Sequence, residues 1–595
     1  MAKNLATRKE IDWQYQWSIE DMYPDETLWQ NDLSKAVEMA EDYAGYAGKL
    51  TVDSHTFLAS LKLRDRLWQI LEKAYVYSRM RRDEDNREEK YQAMCDQAMA
   101  AMAKVGALTS FATPEILDAG EEKIMGYINE NPDLSIYRFA MENTLRLKDH
   151  ILSKEEESIL AQMKEITSAT GDIFTMLNNA DLKFGTITDE DGKEVELTHG
   201  NYIIFMESRN REVREAAFIA MYSAYKALIN TIATGYNYNT KADVVSARIR
   251  KYDSARSAAL SGDNIPGEVY DSLVKNVNDN LPALHKYMNI RKRILGVDQL
   301  KMHDVYVPLI PLPNRVIPFE EGLDMMKAGL APLGKDYGEN LSRALDQRWI
   351  DVYENTGKTS GAYSFGSYDS KPYILLNYTD TLKDVFTLVH EMGHSMHSFY
   401  TRNAQPFVYG GHSIFTAEVA STVNENLLMK HLLAQEKDPE MKKYLLNMHI
   451  EAFRTTLFRQ TMFAEFEDMT HSAVEQGEAL TANWLCKKYE NLNKKYFGDA
   501  VADDPFIRYE WSRIPHFYRA FYVYKYATGY SAAAAISDII LREGPKNYIR
   551  FLKTGESDYP IELLKIAGVD MGTPAPVEAA MKTFEKLVDE LDELV

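Results

Sequence analysis

The pentapeptide His390-Glu391-Met392-Gly393-His394 constrains this chain more than any other string in it. Around it, Val385, Leu388, Val389, Met392, Met396 and Phe399 recur at helical spacing and form one apolar stripe between Val385 and Tyr400. At about 100° per residue, His390 and His394 lie roughly 140° and 180° from Val385, away from the stripe, with Glu391 beside them. The segment therefore reads as a helix that buries one side and aims two imidazoles and a carboxylate from the other. Histidines one turn apart can share a single Zn²⁺, and the glutamate between them can hold a water as general base. A pair of merely solvated histidines is the blander reading, and this geometry disfavours it.

His397 shares the histidine face, but the helical rise places it about 10 Å along the axis from His390. Zinc–nitrogen bonds of about 2.0–2.1 Å cannot span that distance from one straight helix, so His397 reads as a packing residue or one that orients a ligand. A third ligand must come from elsewhere. After the loop Tyr409-Gly410-Gly411-His412-Ser413, the helical run from Phe415 to Lys430 puts Val419, Val423 and Leu427 on one side. Glu418, Ser421, Thr422 and Glu425 fall on the other. Either acid can complete a two-histidine, one-carboxylate set with one position open for water; Glu418 is the preferred ligand and Glu425 the preferred partner of a histidine.

The run from His390 to His397, followed by Phe415-Thr416-Ala417-Glu418-Val419-Ala420-Ser421 and Glu425-Asn426, resembles the zinc peptidases related to thimet oligopeptidase, and among them the bacterial branch, oligoendopeptidase F. The resemblance extends upstream to Gly361-Ala362-Tyr363 and to the run Lys371-Pro372-Tyr373-Ile374-Leu375-Leu376-Asn377-Tyr378. Downstream it takes in Ile514-Pro515-His516-Phe517-Tyr518 and Tyr524-Lys525-Tyr526-Ala527-Thr528-Gly529. It spans most of the chain, with specific motifs from about residue 360 onward. It implies that His390, His394 and Glu418 bind one zinc per chain, that Glu391 is the catalytic base, and that the substrates are short oligopeptides cut at internal bonds. It leaves open which tyrosine acts.

Two further stretches bear on such a site. Tyr373 to Tyr378 is short, aromatic and aliphatic, and reads as a strand that offers a backbone edge to an extended peptide. From His516 to Tyr530 the chain is dense in rings, and His516 with Tyr522 or Tyr526 can donate to the negative charge that develops on a peptide oxygen under attack. Candidate substrate contacts are Gly410, Gly411, His412, Tyr373 and Tyr530. A carboxypeptidase of similar fold would need a fixed cation for the terminal carboxylate, for which Arg513, Arg519 and Lys525 are available. A peptide-binding protein without turnover would have no need of Glu391.

Elsewhere the pattern is mostly helical, as in Glu26 to Tyr43, Ser54 to Arg81, Glu155 to Leu177 and, with breaks, Tyr202 to Leu295. The clearest strand signal is a hairpin, Leu182 to Thr188 and Glu194 to Thr198, joined through Asp191-Gly192. Val307 to Pro313 is proline-bearing yet apolar, and reads as an ordered crossover. The expected fold is mainly α: a two-lobed helical body enclosing a zinc cleft, with a small sheet beside the histidine helix. An N-terminal helical lobe, 1–200, is expected to precede a catalytic region, 201–595. Two distant cysteines, Cys95 and Cys486, fit a reducing cytoplasm and no disulfide framework. The opening run from Met1 to Thr7 lacks a signal pattern, and no apolar stretch reaches the roughly 20 residues that cross a bilayer. A formal charge of −21 disfavours nucleic acid and anionic membranes as partners, and nothing here speaks to oligomeric state.

Overall fold

A computed structural model describes residues 5–311 and 315–595; residues 1–4 of the opening run, and Leu312 and Pro313 of the proline crossover, lie outside the described residues. The chain is 71 % helical, with one two-stranded and one three-stranded sheet, as the helical periodicity requires. The described residues form two compact units. One combines Met1–Asp149, Arg315–His431 and Ile536–Val569; the other combines His150–Asn314, Leu432–Ala535 and Asp570–Val595. Both units draw residues from either side of position 200. No helix among the described residues is long and apolar enough to cross a membrane.

In the first unit, three long helices, Glu26–Ala44, Ser54–Glu84 and Glu89–Thr109, pack on one another. Trp29, Leu33, Phe57, Leu61, Leu67 and Leu71 fill the space between the first two. Asp25 and Asp53 start their helices by accepting the N–H groups of Leu28 and Thr56. The small sheet of this unit has Tyr373–Leu375 at its centre, parallel to Ile350–Asp351 and antiparallel to Tyr363–Phe365. Asp351 is buried at one edge, where Arg8 clasps both its oxygens and Lys358 Nζ approaches to 2.7 Å. Burial disfavours the charge of Asp351, but these two cations still hold its carboxyl below the ordinary range. Removing either cation would strand a buried anion, so the N-terminal segment is pinned to the sheet electrostatically.

The sheet leads directly into the histidine helix, Leu382–Ala404. Asp380, in the left-handed region at φ 61°, turns the chain, and Thr381 and Asp384 form a reciprocal cap: Asp384 N–H donates to Thr381 Oγ1 and Thr381 N–H to Asp384 Oδ2. Val385, Leu388, Val389, Met392 and Met396 are fully buried, as their spacing demands. The following glutamate helix, Ile414–Gln435, is buried on almost every side. Ser421 and Thr422, which the pattern alone assigns to a polar face, lie in the interior, and Ser421 abuts the histidine helix at Gly393.

The second unit is built from helices such as Lys154–Met176, Arg211–Ala227, Ile229–Ile249, Arg459–Glu475 and Ala575–Leu594. Its hairpin pairs Thr186–Thr188 with Glu194–Glu196, shorter than the expected strands, around a turn with Gly192 at φ 79°. Asp189 Oδ1 accepts the N–H groups of Asp191 and Lys193 and so closes that turn. One buried charge in this unit is well satisfied: Glu510 accepts from Arg459 at 2.8 Å and from the Tyr489 hydroxyl.

Candidate metal centre

Three side chains converge between the histidine and glutamate helices. His390 Nε2 and His394 Nε2 stand 3.2 Å apart, and Glu418 Oε2 is 3.7 Å from the first and 4.0 Å from the second. Around a tetrahedral Zn²⁺ with bonds of about 2.0–2.1 Å, neighbouring ligand atoms are separated by about 3.3 Å. The three edges bracket that value, and two imidazoles with one carboxylate are a donor set that zinc accepts, so the residues fit the metal. On the far side of His390, Nδ1 meets Glu425 Oε1 at 2.9 Å. That contact makes Nδ1 the donor and turns the Nε2 lone pair toward His394.

The electrostatics follow from this crowding. Burial opposes a charge on His390, but the hydrogen bond and charge of Glu425, with Glu391 and Glu418 nearby, push its pKa up to about 9. Burial and then the charge on His390 pull His394 down to about 3. The two nitrogens thus share a single proton where a cation would serve both. Burial raises the Glu391 carboxyl to about 7, against the pull of His390. The Ser364 backbone opposes that rise from the neighbouring strand, and the Ser364 hydroxyl meets Ser395 Oγ at 2.8 Å, which links the histidine helix to the sheet.

That link corrects the expected strand role. Tyr373–Leu375 is the middle strand with both edges paired, and Tyr373 is buried with its hydroxyl donating to Ser18 O at 2.9 Å. Tyr373 is thus a core residue. The open edge belongs to Tyr363–Phe365, half-buried throughout, whose central residue lies next to Glu391. Nothing in the composition of Tyr373–Tyr378 distinguishes a central strand from an edge strand; the order of strands decides it.

The other expected residues fall into three groups. His397 is buried, with its ring stacked on His412 at 3.8 Å and tilted against Phe551, and it is not part of the ligand set. His412 Nε2 lies 3.4 Å from Ser398 Oγ, so this histidine backs the metal helix. Gly410 packs against the Tyr368 ring, where an added Cβ would lie 2.5 Å from the ring, and so it serves close packing; Gly411 is exposed beside Glu556. His516, Tyr522 and Tyr526 do come together, with ring centres 5.5–6.0 Å apart. Burial and then Arg519 lower the His516 pKa, favouring its neutral form. Tyr530 is buried edge-on against Phe453 and is a packing residue, because it faces the interior from the helix that starts at Tyr524. Of the candidate cations, Lys525 pairs with Asp263 at 2.7 Å, and Arg513 lies over the Tyr202 and Tyr222 rings.

Residues 204–583 match the model of peptidase family M3, and residues 115–184 match that of oligopeptidase F. Over its full length the chain is 46 % identical to the oligopeptidase PepF of Bacillus subtilis, covering 89 % of that protein. A solved structure of a Chlamydophila abortus protein superposes with a TM-score of 0.91 at 36 % identity, covering all of both chains. The crystal structure of oligoendopeptidase-F from Enterococcus faecium gives a TM-score of 0.75 at 39 % identity, over 96 % of this chain and 98 % of that one.

One residue that spacing arguments pass over sets the site's dimensions. A Cβ on Gly393 would lie 2.6 Å from Ser421 Cα, 2.8 Å from Ala420 O and 2.9 Å from Ser421 N. The histidine helix therefore touches the backbone of the glutamate helix, and only glycine permits that approach. The sequence signal was available: a glycine inside a strongly periodic helix, costing about 1 kcal/mol against alanine, needs a packing reason. Gly393→Ala should force the helices apart, costing about 1–3 kcal/mol in overpacking and moving Glu418 away from the histidines. Lower metal content by elemental analysis and a lower Tm are expected. Wild-type values for both would show that the helices part without disturbing the ligands.

Proposed function

Because the chain belongs to peptidase family M3 and is a peptide hydrolase, we propose that it is a zinc-dependent endopeptidase acting on internal bonds of short oligopeptides. The observation that carries this reading is the convergence of His390, His394 and Glu418 on one point, with Glu391 on the adjoining turn. When bound there, zinc would supply the positive charge that acidifies a water and polarises the scissile carbonyl. Glu391 takes the proton from that water as its oxygen joins the carbonyl carbon, then delivers it to the nitrogen as the C–N bond breaks. The Ser364 backbone favours the Glu391 carboxylate, and Glu425 keeps the His390 ring in one tautomer.

An extended peptide pairing with the open edge of Tyr363–Phe365 would lie beside Glu391 and be held through its backbone, without side-chain selection. For the charge that develops on the carbonyl oxygen, the proposed donors are His516, Tyr522 and Tyr526, on the strength of their clustering and of the sequence resemblance. A cytoplasmic setting belongs to the same reading, supported by the buried, unpaired Cys95 and Cys486.

Glu391→Gln should retain metal and fold yet lose turnover, since an amide cannot take the proton; near-normal cleavage would exclude Glu391 as base. Glu418→Ala should lose the metal, whereas Glu425→Ala should weaken metal binding by about 10–100-fold. Equilibrium dialysis against a zinc indicator separates the two, and the reverse order would exchange their roles. His516→Ala, Tyr522→Phe or Tyr526→Phe should each lower kcat, by about 10²–10³ for a true oxyanion donor. A rise in KM alone would make them substrate contacts. Finally, a peptide of about ten residues should be cut internally while the same stretch inside a folded protein resists, because local unfolding costs several kcal/mol. Mass spectrometry of products decides, and equal cutting of both would refute the restriction to short peptides.

A further inference from the structure

The strand edge beside Glu391 also borders a cavity that the hydrolytic chemistry leaves unused. It measures about 250 Å³ and is lined by Tyr75, Arg79, Asp83, Tyr363, Ser364 and Phe365. Tyr75, Arg79 and Asp83 are spaced four apart in the helix Ser54–Glu84 and so form one stripe facing the strand. We propose that this cavity is a specificity subsite in which Arg79, beside Tyr75, takes a carboxylate of the bound peptide, either an acidic side chain or a free C-terminus. The proposal rests on the reading that peptide pairs with the edge of Tyr363–Phe365.

Asp83 does not cancel the cation. It is buried and shared among three donors, Tyr363 Oη at 3.0 Å, Thr359 Oγ1 at 3.0 Å and Arg79 Nε at 3.1 Å, with Arg82 Nη2 as a further ion partner at 3.6 Å. Arg79 meets it through Nε with Tyr75 one turn away on the same helix, while its side chain remains 39 % exposed to solvent. A guanidinium has five N–H donors in a fork that matches a carboxylate, so contact through Nε does not exhaust it.

The surroundings reinforce the sign. In a chain of formal charge −21, two ion-pair clusters lie behind this strand, each with more cations than anions: Asp83 with Arg79 and Arg82, and Glu84 and Asp351 with Arg8, Arg81 and Lys358. A second cavity, of about 360 Å³, lies by Gly361, Ala362, Asn377 and Tyr378 and has Asp384 as its one charged lining residue. Asp384 disfavours a carboxylate in that second cavity, whereas in the first the exposed charge is the Arg79 guanidinium and the Asp83 carboxylate is buried.

The test uses matched peptides with Glu or Gln at one position, moved along either side of the cut, and a neutral peptide with a free or amidated C-terminus. The wild-type protein, loaded with zinc, should favour the acidic member of one pair roughly tenfold in kcat/KM, a modest ratio because Arg79 is partly exposed. Which pair responds tells side chain from terminus. Arg79→Gln should bring that ratio close to one, and Arg79→Lys should restore part of it, with Tm and metal content showing that both variants fold. Absence of an acidic preference in the wild type, or an unchanged ratio in Arg79→Gln, overturns the proposal. Binding of the same pairs to zinc-loaded Glu391→Gln, with and without Arg79→Gln, reads the subsite without turnover. A failure of the proposed chemistry therefore leaves that ratio intact, and a failure of the subsite abolishes it alone.

Discussion

The contact between Gly393 and the backbone of Ala420 and Ser421 governs the rest of the centre, because it sets how far apart the two ligand-bearing helices stand. Helix pairs separated by ordinary side chains lie about 8–10 Å apart axis to axis, and glycine lets these two backbones approach into direct contact. A single missing methyl group brings Glu418 Oε2 within 4.0 Å of both imidazoles. Small and polar residues on the glutamate helix complete the seam: Ala420 and Ser421 are fully buried, and Asn424 donates to Val389 O at 3.3 Å while meeting the Tyr337 hydroxyl. The seam is polar without being unsatisfied, which is the condition under which buried polar groups specify one arrangement.

The sheet extends this control outward. Ser364 lies on the edge strand next to Glu391, and its hydroxyl touches Ser395, one turn beyond Glu391. Strand and helix are therefore tied at Ser395, with Glu391, the proposed base, one turn earlier. Behind them, the pinning of Asp351 by Arg8 and Lys358 fixes the opposite edge strand, so the sheet cannot shift its register without exposing or stranding a buried charge. The acid, the neighbouring Ser364 and the open backbone edge are consequently parts of one rigid piece.

Much of this was legible in the residues. Helical spacing identified the histidine helix, the face carrying His390 and His394, and the two acids on the next helix, since a period of 3.6 converts directly into direction. It also ruled out His397, which the structure places in a stack with His412. What it could not supply was order in the third dimension. Tyr373 and Tyr363 each open a three-residue strand, and the pairing pattern makes the first central and the second an edge. Tyr530 is indistinguishable in sequence from Tyr522 and Tyr526, yet it faces Phe453 while they face His516. Aromatic density predicts a cluster and says nothing about which member points inward.

A binding mode built on a backbone edge has a physical consequence for selectivity. Main-chain hydrogen bonds treat all sequences alike, so discrimination must come from what borders the strand. On one flank Tyr363 and Phe365 offer ring surfaces, which reward apolar contact broadly. Asp83 uses the Tyr363 hydroxyl as one of its donors, and this same bond orients the ring and keeps the anion occupied. Without that arrangement a buried carboxylate would face the incoming peptide and repel acidic residues; with it, the exposed charge of the flank is the guanidinium of Arg79. Two separate ion-pair clusters thus divide the work behind the strand: the pairs on Asp351 hold the sheet in register, and those on Asp83 set the sign of the surface next to the open edge.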